Sequence, residues 1–121
     1  MLHMTGNDFL QQLKHTEINE SSVKTIEIKY NCRLPMFIQE IISASQECIF
    51  LDNDWRILSV KEILDAPEDL HVDFVELRIL PLIDTGENDF IVYCLEKEDW
   101  SKFNIIDECF FKNKRTLDDY F

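Results

Sequence analysis

Carboxylates are the side chains with which this sequence could most readily do chemistry. Asp52 and Asp54 share one short polar stretch, and Glu87 and Asp89 share another. Either pair could serve as an acid and a base. Side chains two apart point the same way, however, only where the backbone is extended. As calcium ligands both pairs lack the further oxygen donors and the turn glycine that such loops require. Nucleophilic catalysis needs a Ser or Cys held beside a His. His3 and His15 lie in the amino-terminal segment, His71 lies in an acidic stretch, and no Ser stands in a nucleophile-elbow context. Cys32, Cys48, Cys94 and Cys109 lack the short spacing of zinc ligands. Their apolar neighbours instead predict buried free thiols. Gly6 and Gly86 are the only glycines, too few for either nucleotide-binding fingerprint. The sequence therefore assigns no catalytic residue, no metal site and no cofactor, and the chain reads as a protein that is not an enzyme.

Charge is more informative. The 121 residues carry a net charge of −12. Residues 1–46 hold five acidic and four basic side chains, whereas residues 47–121 hold 19 acidic and eight basic ones. Acidic side chains at that density repel one another, which a basic protein partner would relieve. Nucleic acid is a poor candidate and no nucleic-acid partner is expected, because its phosphates would be repelled rather than neutralised. The acids that fall in expected turns and strand ends are Asp52, Asp54, Asp84, Glu87, Asp89, Glu96, Glu98 and Asp99. Trp55 and Trp100, each following an acid, are candidate anchors within that surface.

The elements that must position these residues follow from periodicity. Phe9, Leu10 and Leu13 form a helical stripe, with Thr5 and Asp8 placed as a capping pair. Val23, Ile26 and Tyr30 predict a second helix from about Ser21, stopping near Asn31. Pro35 opens a third, whose buried stripe is Phe37, Ile38, Ile41 and Ile42. Beyond Cys48 the pattern turns to strands: Cys48 to Leu51 and Trp55 to Ser59, joined through Asp52-Asn53-Asp54. Val60 to Leu64 reads as a short helical turn before a loop from Asp65 to Asp69. Leu77 to Ile83 reads as a strand whose Pro81 demands an edge or a bulge. Thr85 to Asn88 is a turn. Asp89 to Leu95, apolar on both faces, is expected to be a central covered strand. Trp100, Phe103 and Ile105 lead into another strand, and Thr116 caps a terminal helical turn. Helices followed by sequential strands give an α+β class, a mainly antiparallel sheet flanked by helices in one domain spanning residues 1–121.

Its longest uninterrupted apolar run, Phe90 to Leu95, is far short of a membrane span, and the amino terminus lacks the pattern of a signal peptide. The expectation is a cytoplasmic protein with no membrane partner, monomeric or weakly homodimeric.

Several segments together resemble the SUKH superfamily, which includes the Smi/Knr-type proteins. Tyr30-Asn31-Cys32-Arg33-Leu34-Pro35 before an apolar helix is similar to its helix–Leu-Pro–helix opening. Trp55-Arg56-Ile57-Leu58-Ser59-Val60-Lys61-Glu62-Ile63 resembles its W-x-x-L-x-x-x-E-I segment. Leu80 to Asp84 and Asn88 to Tyr93 resemble its central strands, Trp100 to Glu108 the strand after them, and Leu117 to Phe121 its closing helix. The likeness runs from about residue 20 onward. It departs after the third helix, where the family's small or Gly-rich turn reads Ser43-Ala44-Ser45-Gln46-Glu47. The resemblance implies a sheet flanked by helices and an immunity protein that binds and neutralises a cognate toxin, often a nuclease. A Smi/Knr-like scaffold that binds proteins without neutralising them is the alternative it implies.

Overall fold

A computed structural model describes residues 4–121, so His3 lies outside the described residues. Local signals set the first three helices. In α1 (Gly6–Leu13) the Thr5 hydroxyl accepts from the Asp8 N–H at 2.9 Å, and the Asp8 carboxylate accepts from the Thr5 N–H at 3.3 Å. Asn19 caps α2 (Glu20–Tyr30), which ends at Asn31 in the left-handed region, φ 50°. Pro35 stands at the N-cap of α3 (Met36–Ala44), which buries Ile38, Ile41 and Ile42. Phe37 is only half-buried, on the flank of that stripe.

The fourth helix corrects the expected loop at Asp65 to Asp69. α4 runs from Val60 to Leu70 and carries Pro67 in its interior. Ser59 and Glu62 form a capping box that starts it. Pro67 has no N–H to give to the carbonyl of Ile63, four residues earlier. The buried Tyr30 hydroxyl donates to that carbonyl instead, at 2.7 Å. A side chain from α2 thus repairs the break in α4. Burial, followed by the charge of Glu68, pushes the Tyr30 hydroxyl far above its ordinary pKa, so it remains a donor. A further short helix, α5 (Phe74–Leu77), is capped by Asp73 and was not legible as a helix.

Six strands follow one another in space as in sequence: β1 (Ile49–Phe50), β2 (Arg56–Ile57), β3 (Ile79–Gly86), β4 (Asp89–Cys94), β5 (Asp99–Asn104) and β6 (Cys109–Lys114), each antiparallel to its neighbour. The α+β class stands. β6 has no counterpart among the expected strands. Pro81 sits at a shift of register between Pro81 and Ile83 rather than at an edge, which is how an interior strand tolerates a residue without an N–H.

Helices lie on both faces of the sheet. Phe74 of α5 stacks edge-on with Phe103 at 6.1 Å, and Phe37 of α3 with Trp100 at 6.2 Å. Trp100 and Phe103 are three residues apart on a regular stretch of β5 and so point to opposite faces. Between the layers Phe90, Ile91, Val92 and Tyr93 of β4 are all buried, as expected of a covered central strand. After β6, residues Leu117–Tyr120 form the expected helical turn as a 3-10 turn, but Thr116, expected to cap it, makes no side-chain hydrogen bond to it. No helix among the described residues is long and apolar enough to cross a membrane.

Candidate protein-binding surface

An up-and-down sheet sends alternate turns to opposite ends. The turns β1–β2, β3–β4 and β5–β6 therefore share one end, and the β4–β5 turn lies at the other. β4 spans six residues, Asp89–Cys94, so its two ends stand five steps, about 17 Å, apart at the usual strand rise. The eight acids singled out by sequence are split between them. Asp52, Asp54, Asp84, Glu87 and Asp89 belong to the first end; Glu96, Glu98 and Asp99 belong to the second.

Local chemistry divides them again. Asp84 accepts from Arg56 Nη2 at 3.3 Å and from the Gly86 N–H at 2.9 Å, so it is bound within the fold. Asp89 accepts from the Asn104 amide at 2.8 Å, directly across the β4–β5 ladder. Asp99 lies against the Cys94 thiol, and its Oδ1 is shut away from solvent without a hydrogen-bond partner among the described residues. Burial, then that carboxylate, pushes the Cys94 thiol up to about 12. Glu96 stands 3.8 Å from Arg78. Glu98 is exposed but shares its turn with Lys97.

Neither tryptophan is a free anchor. Trp100 is 3% exposed and packs between Phe37 and Tyr93, with ring centroids at 6.2 and 5.1 Å. Trp55 is half-buried, flanked by Phe121 at 6.1 Å, with the Lys102 ammonium over its ring at 5.0 Å. The thiols also depart from expectation: Cys109 is exposed, and Cys32, Cys48 and Cys94 are only half-buried.

What remains at the first end is Asp52, Asp54 and Glu87, all exposed. The fold adds two acids that the sequence reading did not select, Asp107 and Glu108 in the β5–β6 turn. Their turn had a local signal. The Asn104 side chain accepts from the N–H groups of Ile106 and Asp107 at 3.0 and 2.9 Å, the kind of self-turning that Asn supplies between two apolar runs. In the β3–β4 turn Glu87 and Asn88 are both left-handed, φ 55° and 67°, which matches the twist of a two-residue hairpin.

None of these five acids forms an ion pair among the described residues. Adjacent turns are two strand spacings apart, about 10 Å. That is close to the Debye length of about 8 Å at physiological ionic strength, so the fields of neighbouring turns overlap as salt is lowered. Ile106, 70% exposed, stands apolar among them. The nearby cation Lys102 is half-buried and occupied by the Trp55 ring. Such an end can attract and orient a positively charged surface; among the described residues no group of three or more His, Cys, Asp or Glu side chains is placed to hold a metal ion. No family model, curated protein or solved structure matches this chain.

Proposed function

We propose that this chain is an immunity protein of the SUKH type, which binds a cognate protein toxin and neutralises it. The toxin is a basic nuclease, and the acidic end formed by Asp52, Asp54, Glu87, Asp107 and Glu108 lies over its phosphate-holding surface. The observation that carries this reading is the gathering of five exposed, unpaired acids in three turns at one end of the sheet. A nuclease must be cationic where it grips phosphate, so a carboxylate surface of matching extent excludes substrate by occupying the same charges. Opposed fields also raise the rate of encounter, which matters when free toxin is harmful. No covalent step is required of this chain.

The test mixes the purified protein with recombinant nuclease toxin domains and follows both nuclease activity and association rate. One basic domain is expected to be inhibited at equimolar ratio, with an association rate that falls as salt rises. Asp52→Lys/Asp54→Lys/Glu87→Lys should slow that association about ten-fold or more. Inhibition that ignores both salt and the charge reversal would sink the reading. Capture without inhibition would move it to the Smi/Knr-like scaffold.

A further inference from the structure

The end of the sheet away from the acidic turns carries a different kind of surface. Next to the β4–β5 turn lies a hollow of about 320 Å³, lined by Pro35 and Phe37 at the start of α3 and by Arg115 and Asp118 after β6. Tyr93 and Trp100, paired across the β4–β5 ladder, line it as well. Phe37 meets Trp100 edge-on at 6.2 Å, and Trp100 meets Tyr93 at 5.1 Å, so the rings brace one another.

Two of these rings carry donors that the fold does not use. Tyr93 is 6% exposed and Trp100 3%. At that burial a phenol O–H and an indole N–H ordinarily find a partner inside the protein. The hydroxyls of Tyr30 and Tyr120 do so, each donating to a backbone carbonyl at 2.7 Å. The Tyr93 hydroxyl and the Trp100 indole N–H have no such partner among the described residues, and neither is shut away from solvent. Burial first, then the charges of Glu98 and Asp99, pushes the Tyr93 hydroxyl above its ordinary pKa, so it stays protonated. The indole N–H can only donate.

A ligand for such a floor must bring acceptors, and the local field decides which kind. The charges of Glu98 and Asp99 reach the Tyr93 hydroxyl, and Asp118 is exposed with no ion pair among the described residues. Arg115 is the one cation lining the hollow. A carboxylate or phosphate would therefore meet more like charge than opposite. Neutral carbonyls beside apolar groups fit. Proline offers a carbonyl next to an apolar ring and has no N–H of its own. Prolines in succession form an extended helix whose carbonyls stay unpaired, and such helices dock on aromatic-lined grooves. Lysine or arginine beside the prolines would meet Glu98 and Asp118, and the net charge of −12 draws such a segment in.

We propose that this hollow binds a proline-rich segment of another protein, flanked by basic residues. Its prolyl rings lie against Pro35 and Phe37, and its carbonyls accept from the Tyr93 hydroxyl and the Trp100 indole. The site stands at the opposite end of the sheet from Asp52, Asp54 and Glu87, so it does not rest on toxin binding.

Nuclear magnetic resonance of the whole chain tests it, read at the indole N–H of Trp100. The probe is a blocked peptide of an arginine pair followed by about eight prolines, enough for a polyproline helix. As it rises toward about 1 mM, the weak end of specific association, the Trp100 signal should move downfield while that of Trp55 stays in place. The same arginines on a Gly-Ser core should leave Trp100 unmoved. Glutamates in place of the arginines should weaken binding about ten-fold. Tyr93→Phe removes a hydroxyl that the fold does not use, so thermal unfolding should be unchanged. The arginine–proline peptide should bind that variant about five-fold more weakly, the scale of one hydrogen bond. A Trp100 signal indifferent to the proline peptide, or equally responsive to the Gly-Ser core, would overturn the proposal. Tighter binding of the glutamate-flanked peptide would do the same, as would a Tyr93→Phe variant that binds like the parent or loses stability.

Discussion

At the three-turn end, Asp52, Asp54, Glu87, Asp107 and Glu108 face water with no cation paired to them, whereas between α4 and β2 the carboxylates of Glu62 and Asp84 both close on Arg56. The residue types are the same and their roles are opposite. In the seam, Glu62 also accepts from the Ser59 N–H at 3.1 Å, so one carboxylate starts a helix and ties it to a strand. At the turns the acids hold nothing together, and their mutual repulsion is a small destabilising load. Exposure and partners separate structural carboxylates from free ones; counting them along the chain does not.

The largest break in this contrast should come from Arg56→Met, which leaves two half-buried carboxylates without their cation. Urea unfolding should show a loss of about 2 kcal/mol, the scale of hydrogen bonds to charged groups. A loss under about 0.5 kcal/mol, typical of an inert surface site, would mean the seam is no more structural than the turns. Tyr30→Phe comes next. It leaves the Ile63 carbonyl unpaired above Pro67 and should cost about 1–2 kcal/mol, with the cost shrinking in a Pro67→Ala background where the helix supplies its own N–H.

A smaller effect should separate the two regions by pH. Burial pushes the Glu62 carboxyl upward, but the Arg56 hydrogen bond, the Ser59 backbone bond and the Arg56 charge together hold it below the usual carboxylate range. A carboxyl depressed in the folded state adds stability at neutral pH and loses it as pH falls through its folded pKa. Glu62→Gln should therefore flatten the acid-side decline in stability, by under about 1 kcal/mol because the pair is partly exposed. A variant whose decline runs parallel to the parent's would remove Glu62 from the account. The smallest change is expected at the turns. Asp52→Asn/Asp54→Asn/Glu87→Gln should shift stability by no more than about 0.5 kcal/mol, upward at low salt as repulsion is relieved. A clear loss in thermal unfolding would show those acids to be structural after all.

Much of the fold was legible where one local interaction decides an element. Thr5 with Asp8, and Asn31 at its left-handed stop, act within a single turn of backbone, so residue type and spacing sufficed. Pro67 misled because the group that rescues its helix, Tyr30, lies 37 residues away. β6 was missed because an edge strand with five exposed residues lacks the apolar alternation that marks a half-buried one. Of the candidate surface, Asp52, Asp54 and Glu87 were identifiable as exposed turn acids. Asp84, Asp89 and Asp99 were not separable from them, since the partners Arg56, Asn104 and Cys94 are set by strand register. Trp100 looked like an anchor in sequence because an acid precedes it, yet alternation along β5 turns it inward against α3.

The bond from Tyr30 to Ile63 carries a consequence for the order in which the molecule assembles. α4 crosses a proline without an intrahelical partner at Ile63, so its second half gains little from forming alone. Docking of α2 supplies the missing donor, and the two helices should gain and lose protection from hydrogen exchange together, as one cooperative unit rather than as neighbours that fray separately.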